Sequence, residues 1–115
     1  MAANGYAEPP PGFDEELQAF VDREVQGTLA DRTLQRDVLA SLFVMEKRAQ
    51  PSCTPQVTQI EMLKEQQDGS VTERWDVSSC QVSSSYEVDL VPTETGGAIF
   101  RIHPLTDSRE PQRVR

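Results

Sequence analysis

Two cysteines, Cys53 and Cys80, and a single histidine, His103, are the residues with the most chemistry to offer. A structural zinc site needs four ligands, so two cysteines and one histidine fit a disulfide better than a metal site. Both cysteines lie in polar, turn-like sequence, which favours a bridge over two free thiols that pack as small apolar side chains. A bridge would close a loop of about 28 residues and contribute on the order of 3 to 4 kcal/mol.

The other reactive side chains form no catalytic pattern. His103 precedes Pro104 at the end of a predicted strand, with no activated serine or cysteine beside it in sequence. Acidic residues at 14–16 fit the first turn of a helix, where negative charge suits the helix dipole. We therefore predict no catalytic residue, no metal ligand and no cofactor, and expect that the chain is not an enzyme.

A second group of charged residues alternates along the predicted strands. Because alternate residues of a strand share one face, these side chains are expected to lie on the solvated face of the sheet. Cross-strand charge pairing is the simpler interpretation, and a partner surface is the functional one. The candidate interaction surface consists of Arg74, Asp76, Glu87, Asp89 and Arg101.

Helical patterns occupy the first half of the chain. Apolar residues recur at intervals of three and four from Phe13 to Val25 and again from Leu34 to Met45. Gly27 and Thr28 interrupt the pattern and Asp31 offers a cap, so we favour two helices over one kinked helix. The second helix is expected to end near Arg48, before Pro51.

Strand patterns with a period of two follow the helices. Four runs, separated by turn signals, start near Val57, Val71, Tyr86 and Ala98. This order predicts an α+β fold, with one or two N-terminal helices on a four-stranded antiparallel meander sheet. The helices should cover an apolar face comprising Trp75, Val77, Tyr86, Val88, Leu90, Phe100 and Ile102. Such a two-layer sandwich resembles cystatin-like proteins in fold, but residues 81–85 lack the Gln-x-Val-x-Gly hairpin of those inhibitors.

The length and net charge of the chain limit the number of domains it can form and the classes of partner it can bind. With 115 residues, 37% of them hydrophobic, the chain can hold one core. Its net charge of −8 and scattered basic residues oppose binding to nucleic acid. No apolar stretch is long enough to span a bilayer. We expect a flexible Pro-rich tether at 1–12, one domain at 13–104 and a disordered tail at 105–115.

The strand half resembles small uncharacterised envelope proteins and lipoproteins of proteobacteria. The resemblance rests on Trp75-Asp76-Val77-Ser78-Ser79-Cys80, on Tyr86-Glu87-Val88, and on Gly96-Gly97 before Phe100, within residues 53–102. It implies an extracytoplasmic location and no activity. Gln81 stands where the pattern has glycine, so a longer reversal through Ser83-Ser84-Ser85 is expected in place of a tight turn.

These expectations lead to two functional hypotheses. The first is a non-catalytic interaction module, periplasmic or secreted, that is tethered by its Pro-rich N-terminus and contacts another envelope protein through the exposed sheet face or an edge strand. A removed lipid anchor could supply the membrane tether. The second is a small ligand-binding or enzymatic domain with a pocket between helix and sheet, as in nuclear-transport-factor-like folds. A cytoplasmic location is the alternative, because residues 1–12 have neither the charged nor the apolar region of a secretory signal.

Overall fold

The computed structural model describes residues 12–105. The predicted tether up to residue 11 and the predicted tail from residue 106 lie outside the described residues. Two helices precede four strands, as the sequence predicts. Their bounds are α1 Phe13–Asp22, α2 Arg32–Ala49, β1 Gln56–Glu65, β2 Val71–Ser79, β3 Val82–Pro92 and β4 Ala98–Pro104.

Helix α1 ends at Asp22, three residues before the apolar pattern stops at Val25. Arg32, the first residue of α2, donates from its guanidinium to the carbonyls of Val21 and Asp22 at 3.2 and 2.6 Å. These carbonyls have no partner within the helix, and a cation there also suits the helix dipole. Arg32 therefore holds the carboxyl end of α1 against the start of α2.

Helix α2 begins directly after its predicted N-cap residue, Asp31. The Asp31 side chain accepts a hydrogen bond from the backbone N–H of Leu34 at 2.9 Å. At the other end, Lys47 and Arg48 lie in the last turn and the helix stops before Pro51. Two separate helices, rather than one kinked helix, are confirmed.

The connection between the helices passes close to the sheet at Gly27. This residue has φ +96°, and a Cβ placed on it would lie 2.7 Å from the carbonyl oxygen of Ile60 in β1. Glycine is needed here both for the left-handed backbone and for the close approach.

The four strands form one antiparallel sheet in the order β1-β2-β3-β4, which is the predicted meander. Trp75 pairs with Ile60 on one side and Tyr86 on the other, and Val88 pairs with Ile102. Both helices lie on the face that carries these residues. None of the helices in residues 12–105 combines the length and apolar character needed to cross a membrane.

The reversal between β2 and β3 differs from the expectation. Ser79 pairs with Val82, so the turn contains only Cys80 and Gln81, with φ of 50° and 73°. Positive φ at both central residues is the geometry of a type I′ hairpin, which matches the twist of the flanking strands. The prediction of a longer reversal through Ser83-Ser84-Ser85 was wrong. Residues other than glycine adopt the tight turn here, and the three serines belong to β3.

The core lies between the helices and the inner face of the sheet. Phe43 of α2 is fully buried in it, and the rings of Phe13 and Phe20 lie 5.3 and 5.4 Å from the Phe43 ring. Trp75 and Tyr86 are core residues, as predicted, while Phe100 and Ile102 pack on the core but stay half-buried. The buried cluster comprises Phe20, Val21, Ala30, Val38, Leu39, Leu42, Phe43, Val71, Trp75, Val77, Tyr86, Val88 and Leu90.

The predicted disulfide is present between Cys53 and Cys80, 27 positions apart, with their Cα atoms separated by 5.5 Å. Cys53 lies in the segment after α2 and is buried, whereas Cys80 lies in the exposed β2–β3 turn. The bridge therefore ties the carboxyl end of the helix layer to one end of the sheet.

Candidate functional site: the outer face of the sheet

The helices leave the outer face of the sheet uncovered, and the five predicted surface residues all lie on it. Their neighbours on the strands, Trp75, Tyr86 and Val88, point to the core, so strand alternation directs these five outward. The pairing register places Arg74 beside Glu87 and Asp89 beside Arg101. The predicted group is therefore one contiguous patch on the outer face.

Arg74 is the centre of one row of charges. Its Nε lies 3.2 Å from Oδ1 of Asp76, and one of its terminal nitrogens lies 3.8 Å from Oε1 of Glu61 on β1. Glu87 occupies the facing position on β3. Two carboxyl groups, on β1 and β2, thus lie within 4 Å of one guanidinium, whose planar fork suits several acceptors at once.

Asp76 is held by hydroxyl groups as well as by Arg74. Ser85 donates to its Oδ1 at 2.6 Å, and Thr58 donates to its backbone carbonyl at 3.2 Å. Thr58 lies where the β1–β2 register shifts between Val57 and Gln59. The side chain of Asp76 is thereby held from β3, and its backbone carbonyl is bound from β1.

Asp89 is the centre of a second row. Thr72 donates to its Oδ1 at 2.9 Å, and Nε2 of His103 lies 3.6 Å from its Oδ2. Arg101 faces Asp89 across the ladder but makes no ion pair within residues 12–105. His103 is more than half exposed, as expected for a residue at a strand end.

A shallow concavity of about 460 Å³ lies at the end of the outer face nearest the β1–β2 turn. Lys64 and Arg101 line it with positive charge, and Asp68, Glu87 and Asp89 line it with negative charge. The backbone N–H of Ser70 donates to Asp68 at 2.8 Å and lowers the pKa of that carboxyl from 3.8. Mixed charge on a rigid strand surface suits recognition of another polar surface.

Sequence reasoning missed two buried acidic residues. Glu46 of α2 is buried between helix and sheet, where its side chain accepts hydrogen bonds from the hydroxyls of Ser79, at 2.6 Å, and Tyr86. Glu46 follows Leu42 by four positions and Phe43 by three, so it falls on the apolar stripe of the helix. This position on the apolar stripe was the sequence signal that Glu46 is buried.

Glu73 is the second buried acid and lies on the inner face of β2. Its carboxyl group accepts from Nε1 of Trp75 at 2.9 Å, from Thr28 Oγ1 at 2.7 Å and from the N–H of Leu29 at 2.8 Å. It therefore fastens the α1–α2 connection to the sheet. Glu73 lies two positions after Val71 and two before Trp75, so strand alternation places its side chain on the same inward face as these two residues.

The acidic residues at the start of α1 lie in its first turn, as predicted. Glu16 among them contacts Lys47 of α2 with an N–O distance of 2.6 Å, which links the two helices. Within residues 12–105, the His, Cys, Asp and Glu side chains form no group of three or more that could hold a metal ion.

The chain matches no protein-family model, no curated protein and no solved structure.

Proposed function

We propose that this chain is a non-catalytic interaction module that binds another protein through the outer face of its sheet. The observation that carries the proposal is the contrast between the two faces. Most of the helix-side face is packed against α1 and α2, whereas the outer face presents an ordered group of charges centred on Arg74 and Asp89. Charged groups arranged in this way give specificity and steer association.

The placement of the acidic residues supports a non-catalytic role. The two most buried acids, Glu46 and Glu73, use their oxygens to bind hydroxyl, indole and backbone donors of the core. General acid or base chemistry requires such a group within hydrogen-bonding reach of a substrate. A residue that fastens one layer of the fold to another is poorly placed for this task.

The proposed location is the periplasm or the outside of the cell. A disulfide persists in oxidising compartments and is rare in the cytosol, so the Cys53–Cys80 bridge supports this location. The resemblance of residues 53–102 to proteobacterial envelope proteins and lipoproteins points the same way. The proposed partner is accordingly another envelope protein.

Affinity capture from envelope extract tests the proposal with a matched pair of charge reversals. Arg74→Glu reverses a charge at the centre of the outer face, and Arg48→Glu makes the same change on the exposed surface of α2. The proposal predicts a reproducible partner that is retained by wild type and Arg48→Glu and lost from Arg74→Glu. Equal retention by both folded variants, or no reproducible partner, would count against it.

A cleft between helix and sheet favours a second candidate function, the binding of a small ligand. The cleft measures about 260 Å³ and lies between the α1–α2 connection and β1, where Phe20, Leu39, Val57 and Ile60 line it with Arg23 and Glu24 at its rim. Ligand pockets usually measure about 300 to 1,000 Å³, so this cleft lies just below the range. An apolar fluorescent probe whose binding is abolished by Val57→Trp would support this candidate.

A further inference from the structure

The two edges of the sheet differ in regularity. Edge strand β1 carries two register shifts, between Val57 and Gln59 and between Met62 and Lys64. Bulges of this kind twist an edge and discourage the pairing of another strand. Edge strand β4 pairs with β3 residue by residue from Ala98 to Pro104 without a shift, so its other edge is equally regular.

The two edges also differ in how they are covered. The α1–α2 connection lies against the backbone of β1 at Ile60, close enough that a Cβ on Gly27 would collide with it. Among residues 12–105, no strand pairs with the outer edge of β4. Edge N–H and C=O groups that remain unpaired are a template for an added strand.

The side chains of β4 define what an added strand would meet. Phe100 and Ile102 on the helix side are only half-buried, although both pack on the core. Arg101 on the outer side has no ion pair within the described residues, and the facing Asp89 is contacted by Thr72 and His103. Strand β4 itself contains no Asp or Glu.

A second copy of the chain is a poor occupant of this edge. In every antiparallel register that pairs more than half of β4 with itself, Arg101 stands opposite or diagonal to Arg101 of the other copy. Like charges facing each other across strands are destabilising.

We propose that β4 is a strand-addition site for an extended segment of a partner protein in which apolar and acidic residues alternate. The apolar residues extend the surface of Phe100 and Ile102, and an acidic residue pairs with Arg101. Main-chain hydrogen bonds supply affinity and the alternate side chains supply specificity. This proposal rests on the proposed function and specifies the mode of binding and the chemistry of the partner.

Titration of the isotope-labelled full chain with a synthetic peptide tests the proposal. The probe is a seven-residue capped peptide in which Val and Glu alternate, and its control has the same composition with the residues in blocks. Saturable binding of the alternating peptide is expected to slow hydrogen exchange of β4 amides and leave β1 amides unchanged. Arg101→Glu is expected to weaken binding by about tenfold, as reversal of a cross-strand charge pair implies.

Two variants serve as controls. Arg101→Lys keeps the charge and should keep binding, and Arg48→Glu makes a matched reversal on the exposed surface of α2 and should have no effect. The proposal is overturned by protection of β1 in place of β4, by equal binding of both peptides, by insensitivity to Arg101→Glu, or by the absence of saturable binding. If partner capture still depends on Arg74 in those cases, the proposed function stands and only strand addition at β4 is lost.

Discussion

The hydroxyl of Tyr86 on β3 donates to Oε2 of Glu46 on α2, so a buried polar contact crosses the interface between helix layer and sheet. Ser79 donates to the other oxygen of the same carboxyl group at 2.6 Å. Ser79 precedes Cys80, and Glu46 lies one turn before the end of α2. Hydrogen bonds and disulfide therefore join the same two parts of the molecule.

Removal of the Tyr86 hydroxyl should destabilise the fold without disturbing its packing. Tyr86→Phe leaves a buried acceptor unsatisfied, which costs about 1 to 3 kcal/mol. Urea denaturation of Tyr86→Phe and of an exposed control, Ser83→Ala, measures the difference in the free energy of unfolding. A Tyr86→Phe loss no greater than that of the control would show that the contact is energetically unimportant.

Loss of the disulfide should cost more than loss of this hydrogen bond. The double variant Cys53→Ser and Cys80→Ser removes the covalent link between two residues 27 positions apart. Loop entropy predicts that the free energy of unfolding falls by about 3 to 4 kcal/mol. Denaturation of wild type with and without reductant should reproduce the variant's shift. A reductant-insensitive midpoint for a chain whose oxidised mass is confirmed would contradict this prediction.

Gly27 and Gly12 offer a matched test of the connection between the helices. Both have positive φ, but a Cβ would lie 2.7 Å from the Ile60 carbonyl oxygen at Gly27 and would meet nothing within 4 Å at Gly12. Both alanine variants incur backbone strain of about 1 kcal/mol, and Gly27→Ala adds a steric clash. Gly27→Ala should therefore lower the unfolding midpoint clearly more than Gly12→Ala, and equal midpoints would refute the close approach.

Asp68 should titrate below its ordinary range in the folded protein. The hydrogen bond from the Ser70 N–H favours the charged carboxylate and lowers the pKa of Asp68. A lowered pKa in the folded state stabilises the fold above the unfolded pKa of 3.8, and this contribution disappears as the pH falls through the folded value. Nuclear magnetic resonance titration of the Asp68 carboxyl in the folded and the urea-unfolded chain measures the direction of this pKa shift. A higher pKa in the folded chain than in the unfolded chain would contradict the prediction.

The elements of the fold could be predicted because their periodicity and caps are local signals. The strand alternation around Trp75 and the Asp31 cap are read directly from neighbouring residues. The type I′ turn was missed because Cys80 and Gln81 lack the usual Asn or Gly, and their conformation is imposed by the pairing of the flanking strands. Glu46 and Glu73 were missed because only the folded chain brings distant donors to them.

Photo-cross-linking in native cells tests the central claim most directly. A photoreactive residue is placed at Gln59 or Ser83, both exposed on the outer face, and as controls at Asp37 or Arg48, both exposed on α2. The interaction-module account predicts one discrete adduct from Gln59 and Ser83 and none from Asp37 and Arg48. Adducts from the helix positions alone, or no adduct from either outer-face position in a folded protein, would contradict it.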